Sequence, residues 1–178
     1  MSRVVDEPIA SRLITEGGQT LVVDVYKPEL VDGRTECAYR LADTRGTTQG
    51  ADELAALYRA LAEIGDLLAQ ANNPRTRYLV PAHLGFPTPP ADQTTAHTTT
   101  IDAVATQTIT HNGEHHTVTI GRPFHNPGQD FALCPFHVDD RDRAVASGWD
   151  GIDALLNAVA MIGEWLRLPR DWPLTSSG

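Results

Sequence analysis

The sequence predicts an α+β fold made by tandem duplication of a β-β-β-α unit, with antiparallel sheets covered by two amphipathic helices around a pseudo-twofold axis. The first observation is an internal repeat: Gly50 to Leu68 and Gly148 to Leu166, offset by 98 positions, agree at nine of nineteen residues. The second is that turn and strand signals occur in the same order upstream of both segments. Such a repeat is one supersecondary unit, so the elements of one copy predict those of the other.

The repeat divides the chain of 178 residues into four parts. We expect the first unit at 9–70, a proline- and threonine-rich linker at 71–105, the second unit at 106–168 and a tail at 169–178 that is loose except where Trp172 packs. Within the linker, Arg77 to Val80 could pair at a sheet edge. A chain of this length can bury a core without disulfides or a metal ion.

Each unit begins with a predicted hairpin. Ile9 to Thr15 and Thr20 to Tyr26 are expected to form strands, the second because its apolar and polar residues alternate. In the second unit Asn112-Gly113 stands between the two strands, and this dipeptide favours a type I′ turn, in which both residues have positive φ. Third strands are expected at Glu36 to Leu41 and Leu133 to Val138, and each contains a cysteine.

An amphipathic helix ends each unit. Asp52 and Asp150 precede the helices, where a carboxylate accepts hydrogen bonds from the free amides of the first turn. Apolar residues then recur at intervals of three and four, which predicts that one face of each helix covers a sheet. They are Leu54, Leu57, Leu61, Ile64 and Leu68 in the first helix and Ile152, Leu155, Val159, Ile162 and Leu166 in the second.

The acidic composition limits the kinds of partner. Fourteen Lys and Arg against 23 Asp and Glu give a net charge of -9, which opposes the counterion release that general nucleic-acid binding needs. We therefore expect no nucleic acid and a protein partner, for which a basic protein is the more natural charged candidate. The chain shows neither a membrane-length apolar run nor a secretory signal, which favours a cytoplasmic protein without a membrane partner. A homodimer is a further possibility, since open sheet edges pair readily.

Six of the seven histidines lie beyond residue 96 and suggest a metal site. Cys134 and His137 form a C-x-x-H pair, which His125 and a histidine of the neighbouring hairpin could complete as a zinc shell. However, Cys134 and His137 fall on opposite faces of their strand, and the first unit keeps Cys37 without these histidines. We therefore favour buried structural cysteines without a disulfide and exposed histidines, and we expect no cofactor.

No catalytic motif is present. The chain lacks a G-x-S-x-G elbow, a phosphate-binding P-loop, a dinucleotide G-x-G-x-x-G and an H-E-x-x-H helix. Cys134 beside His137 could be a thiolate pair, but a buried cysteine is the more frequent condition. We name no catalytic residue and leave the question of enzyme activity open, leaning against it. The alternative is a small enzyme or a ligand- or metal-binding protein using the groove between the repeats, near Arg122, His125, Cys134 and His137.

Several surface residues are candidates for binding. The acidic run Asp139, Asp140 and Asp142 could contact a cation or a basic partner, although a solvated turn is the simpler interpretation. Lys27 and Arg122, each before a matched proline, could form an anion site near the pseudo-twofold axis. Aromatic side chains are frequent interface anchors. The candidates are Tyr26, Tyr39, Phe124, Phe131, Trp149, Trp165 and Trp172, with Trp165 beside the apolar stripe of the second helix.

The second unit carries motifs of a known kind. The second unit resembles a small bacterial domain family of unknown function, with a G-R-P turn and a C-P-aromatic strand. The segments that carry the resemblance are Ile120-Gly121-Arg122-Pro123, Pro127-Gly128-Gln129-Asp130, Cys134-Pro135-Phe136 and the helix from Gly151 to Leu166. The first unit departs from this pattern, with Tyr26-Lys27-Pro28 and Cys37-Ala38-Tyr39. The resemblance implies the order hairpin, third strand and helix, apparently duplicated here. It implies no activity and no site residue.

These observations favour a non-enzymatic cytoplasmic binding or inhibitory protein. One form that fits is an immunity protein occluding a basic toxin domain, because acidity, small size and the lack of a catalytic motif all suit that role. In this hypothesis acidic loops such as Asp139 to Asp142 cover the cleft of the toxin, and long-range charge steers the encounter.

Overall fold

Two antiparallel sheets, each followed by a helix, account for the regular structure. The structure is a computed structural model and describes residues 7–16, 19–70, 101–139 and 142–174. Within these residues lie ten strands and two helices, so the α+β class is confirmed. The possible strand from Arg77 to Val80 lies outside the described residues.

The first sheet is organised around a central strand. Its strands are β1 (Ala10–Glu16), β2 (Gln19–Val25), β3 (Glu29–Val31), β4 (Arg34–Leu41) and β5 (Thr44–Gly50), followed by helix α1 (Glu53–Gln70). β5 pairs along one side of β4, while β2 and the short β3 pair with the two ends of its other side. β1 pairs with β2 as an antiparallel neighbour at the edge of the sheet.

The second sheet has the same strand order. Its strands are β6 (Ala103–His111), β7 (Glu114–Gly121), β8 (Phe124–His125), β9 (Ala132–Val138) and β10 (Asp142–Gly148), followed by helix α2 (Gly151–Leu166). The order β10-β9-β7-β6, with β8 beside β9, matches β5-β4-β2-β1, with β3 beside β4. β6 begins at Ala103, inside the stretch that the sequence assigned to the linker.

The predicted turn and cap signals are present. Asn112 and Gly113 connect β6 to β7 with φ values of 51° and 81°, as a type I′ turn requires. Asp52 and Asp150 each accept a hydrogen bond at 2.8 Å from the backbone N–H three residues further on. The sequence therefore located the second hairpin and both helix starts correctly.

Each sheet has more strands than predicted. The expected third strands correspond to β4 and β9, but β5 and β10 follow them before the helices, and β3 and β8 precede them. The order is therefore β-β-β-β-β-α instead of β-β-β-α. Thr48 is the only buried residue of β5. Among the described side chains of β10, only Ala146 is buried. Without a run of alternating apolar residues, neither strand carries the sequence signal of a half-buried strand.

One hydrophobic core joins the two units. The predicted apolar faces of the helices form its centre, and Leu54, Leu57, Ile152, Leu155 and Ile162 are each at most 1% exposed. α1 packs on β4 and β5 and also contacts β6, while α2 packs on β9 and β10 and also contacts β1. Each helix therefore covers its own sheet and the first strand of the other.

Polar contacts at the start of each helix reinforce this packing between the two units. Arg12 of β1 donates two hydrogen bonds, from Nε at 2.6 Å and from Nη2 at 3.0 Å, to the carboxylate of Asp150 before α2. On the other side, Glu53 of α1 accepts a hydrogen bond at 2.8 Å from the backbone N–H of Thr106 in β6. A bidentate arginine pair fixes orientation as well as distance, so these contacts set how the units meet.

The chain beyond α2 returns to the first unit as the C-terminal strap, residues Pro169–Leu174. Trp172 is 6% exposed, and its Nε1 donates to Oε1 of Gln107 at 2.7 Å. Gln107 in turn donates to Oδ2 of Asp52 at 2.8 Å, and Arg59 of α1 contacts the backbone oxygen of Leu174 at 3.4 Å. Trp172 therefore packs, as expected of this part of the tail, and the strap contacts both units.

Candidate functional site

The three predicted metal ligands do not converge. Cys134 is fully buried and its Sγ lies 3.5 Å from the backbone oxygen of Gly121. His137, three residues along β9, lies on the opposite face, and His125 is exposed on β8. In the described parts of the chain, no group of three or more His, Cys, Asp or Glu side chains is placed to hold a metal ion.

Histidines on β7 contact their own sheet. His116 places Nδ1 at 3.0 Å from Asp139 and Nε2 at 3.7 Å from Glu114. His115 points to the other face, where its Nδ1 lies 3.0 Å from the hydroxyl of Thr110. The adjacent pair is split across the sheet, because successive side chains of a strand point to opposite faces.

Neither thiol has the environment of a nucleophile. Cys37 and Cys134 are free and fully buried. Burial raises the pKa of Cys37 to about 12 and also raises the pKa of Cys134. Because the thiolate is the reactive form, both cysteines are inert at neutral pH. The thiolate pair with His137 does not form, since Cys134 and His137 lie on opposite faces of β9.

We expect both thiols to resist a disulfide reagent such as dithiobisnitrobenzoate in the folded protein and to react once the chain is unfolded. The same raised pKa sets a pH dependence. Below the ordinary thiol pKa of 9.0 the cysteines are protonated in both the folded and the unfolded chain. Above that pH the unfolded chain loses its thiol protons first, so the free energy of unfolding falls as pH rises toward about 12. Labelling rates and denaturant unfolding across this range measure both effects. Native-state labelling as fast as that of a free thiol would contradict the burial.

The predicted acidic run supports a turn. Asp139 follows β9 with φ of 52°, and its Oδ1 accepts a hydrogen bond at 2.8 Å from the backbone N–H of Thr117 in β7. Its Oδ2 meets His116. Asp140 and the side chain of Asp142 lie outside the described residues. The Asp139 carboxylate therefore joins β7 to the end of β9.

The two cations of the predicted anion site have different surroundings. Arg122 donates from Nε to Asp102 at 2.7 Å and from Nη1 to the backbone oxygen of Pro8 at 3.3 Å. Lys27 is exposed between β2 and β3. An anion at this site would therefore compete with Asp102 for Arg122.

Three aromatic side chains are exposed at one end of the second sheet, and we call them the aromatic end: Phe124, Phe131 and Trp149. Their exposed fractions are 44%, 36% and 84%. Phe131 lies just before β9 and Trp149 just after β10, where these two strands pair. Phe124 of β8 pairs with the same end of β9. Neighbouring strands are about 4.8 Å apart, so the three backbones lie within roughly 10 Å of one another.

The surroundings of the aromatic end are ordered. The backbone N–H of Trp149 donates to the carboxylate of Asp153 at 2.9 Å, which holds the tryptophan where α2 begins. Val145, 51% exposed, pairs with Pro135 and extends the apolar surface along β10 and β9. The exposed Asp130 adds a carboxylate next to Phe131. Exposed apolar side chains grouped at one place on a surface are a feature of interaction sites.

The other candidate aromatics divide between core and surface. Tyr39 and Trp172 are buried, whereas Trp165 is 48% exposed. Its ring packs edge-on against Phe136 with centroids 6.3 Å apart, so half of it belongs to the core. Exposure alone does not separate the two groups, since Trp165 is more exposed than Phe124; the aromatic end is distinguished by its three residues lying on or beside neighbouring strands at one end of the second sheet.

A cavity of about 250 Å³ lies between α1, α2 and the C-terminal strap. None of the four residues expected near the groove between the units lines it, namely Arg122, His125, Cys134 and His137. Its lining is mostly apolar, with polar groups at the rim. The lining residues are Tyr58, Leu61, Ala62, Leu156, Arg170, Asp171, Trp172 and Leu174.

Comparison with known proteins adds no family. No protein-family model, no curated protein and no solved structure matches this chain. Among the helices that the structure describes, none is long and apolar enough to cross a membrane.

Proposed function

We propose that the two units arose by duplication and are related by a pseudo-twofold axis. The matched strand orders support this, and so do matched contacts: Cys37 lies 3.4 Å from the backbone oxygen of Tyr26, and Cys134 lies 3.5 Å from that of Gly121. Both oxygens stand two residues before the matched prolines. The reciprocal packing of each helix on the first strand of the other unit is what a twofold relation produces.

We propose that the protein is a non-enzymatic binding protein and that the aromatic end is its contact surface. The observation that carries this proposal is Trp149, whose side chain is 84% exposed while its backbone is hydrogen bonded at the start of α2. Tryptophan and tyrosine dominate the energetic centres of protein interfaces, because a rigid ring covers a large area at a small cost in entropy. Phe124 and Phe131 provide further apolar area beside it.

We further propose that the partner is a basic protein of the cytoplasm. In the specific form of this proposal, the chain is an immunity protein that occludes a toxin domain. The net charge of -9 supports such a partner, since opposite charge speeds association and penalises acidic competitors. Asp130 places one carboxylate directly beside the aromatic end. The resemblance of the second unit to a bacterial domain family of unknown function is compatible with this role and names no partner.

In this proposal the aromatic end supplies affinity and the acidic surface supplies steering. Asp139 already accepts hydrogen bonds within the second sheet, so we do not assign the centre of the interface to the turn after β9. That the segment Asp139 to Asp142 covers a cleft of the partner stays a prediction.

Affinity capture tests the proposal. The full chain is immobilised, exposed to lysate of the source organism at low and moderate ionic strength, and the retained proteins are identified by mass spectrometry. We expect one basic protein held in stoichiometric amount, with retention falling as salt rises because screening weakens charge steering. Recovery of the chain alone, or only with copies of itself, at both salt concentrations would contradict the proposal.

A further inference from the structure

The cavity beneath the C-terminal strap has walls held in place by hydrogen bonds. Trp172 forms one wall, and the bonds from Trp172 to Gln107 and from Gln107 to Asp52 fix it against both units. Arg59 contacts the backbone oxygen of Leu174 on the strap side. Small-molecule sites favour concave, largely preformed spaces at such junctions.

The lining combines an apolar interior with two polar groups able to donate hydrogen bonds. Leu61, Leu156 and Leu174 provide apolar walls with the Trp172 ring. Arg170 is exposed at the rim, and within the described part of the chain no carboxylate pairs with it.

Tyr58 supplies the second donor. Burial raises the pKa of Tyr58, which keeps its hydroxyl protonated, and no side chain or backbone group of the described residues hydrogen bonds to it. Among the lining residues Arg170 is the one cation and Asp171 the one carboxylate, so recognition of a negative charge at this rim depends on Arg170.

Size and charge together define the ligand. An apolar cavity of about 150 Å³ holds benzene, so the larger volume here accommodates a ring of that size with a short substituent. We propose that the cavity binds a small monocarboxylate with an aromatic or branched apolar body, with Arg170 and Tyr58 as its polar contacts. The carboxylate of Asp171 at the same rim disfavours a second negative charge on the ligand.

Phenylacetate is a suitable probe, with benzyl alcohol as the neutral control. The full chain is titrated while the indole N–H resonance of Trp172 is followed by NMR, assigned by its absence in a Trp172→Phe variant. For a ligand of this size we expect saturation with a dissociation constant between about 0.01 and 1 mM. We expect benzyl alcohol to bind at least roughly tenfold more weakly, since it lacks the charge that Arg170 recognises.

Two variants test the site itself. Ala62 is exposed on α1 at the cavity, so Ala62→Phe should fold normally and block binding by filling the space. Arg170→Gln should weaken phenylacetate about tenfold and leave benzyl alcohol unchanged, whereas Arg45→Gln, on β5 and outside the lining, should alter neither.

A folded protein whose Trp172 resonance does not shift up to about 10 mM phenylacetate would overturn the proposal. A shift that persists in Ala62→Phe, or that benzyl alcohol produces equally, would overturn it as well. These outcomes do not depend on whether the aromatic end binds a protein.

Discussion

Replacing Trp172 with alanine is expected to lower the free energy of unfolding by about 3 to 5 kcal/mol. The ring is 6% exposed and packs where the strap, α2 and β6 meet, so its loss leaves a cavity. It also removes the donor to Oε1 of Gln107, a side chain that is itself only 4% exposed. Equilibrium denaturation by urea measures the effect.

Two further variants separate packing from hydrogen bonding. Trp172→Phe keeps most of the ring and removes the Nε1 donor, so we expect a loss of about 1 to 3 kcal/mol. Trp149→Ala removes a side chain that is 84% exposed and should change stability by no more than about 0.5 kcal/mol. If Trp172→Ala and Trp149→Ala lowered the free energy of unfolding equally, the strap would not hold the units together.

Gly148→Ala should destabilise the protein by at least about 3 kcal/mol. A Cβ at this position would lie 2.6 Å from the carbonyl carbon of Asp153 and 2.8 Å from the Cα of Ala154, both backbone atoms in the first turn of α2. Backbone cannot move aside as a flexible side chain can, so the strand and the helix must separate. Thermal and urea unfolding, with circular dichroism as the probe, report the loss.

Two further glycines complete this test: Gly50, at the equivalent strand end of the first sheet, and Gly163, inside α2. Gly50→Ala should behave like Gly148→Ala, because its Cβ would lie 2.6 Å from the Cα of Ala56. At Gly163 the nearest atom to an added Cβ is in the Trp172 ring, at an ordinary 3.5 Å. Alanine is favoured over glycine inside a helix by about 1 kcal/mol, so Gly163→Ala should be neutral or stabilising. Destabilisation of all three variants by the same amount would refute the argument from close approach.

Local signals explain what could be predicted of the fold. The caps Asp52 and Asp150 and the turn at Asn112-Gly113 work through hydrogen bonds or backbone angles set within a few residues. β5 and β10 escaped prediction because they are held by pairing with β4 and β9 and bury little apolar surface of their own. The matched glycines at their ends were visible in the repeat, but their role depends on how closely each helix crosses its strand.

The site was less predictable because its parts are brought together by tertiary structure. The sequence suggested Phe124, Phe131 and Trp149 as anchors, yet nothing in their neighbours distinguishes them from the buried Trp172. Gln107 gave no signal at all, since it stands in a threonine-rich strand and its partners lie 55 and 65 residues away. The histidine cluster was a strong pattern in sequence, but strand alternation separates Cys134 from His137.

The most direct test of the central claim compares capture by three forms of the protein: wild type, Trp149→Ala and Leu30→Ala. Leu30 is a matched control because it is 75% exposed and lies on β3, the strand of the first sheet that corresponds to β8. If the aromatic end is the contact surface, Trp149→Ala should retain the basic partner at least about tenfold less well, with Leu30→Ala equal to wild type. Equal retention by all three forms would contradict the account.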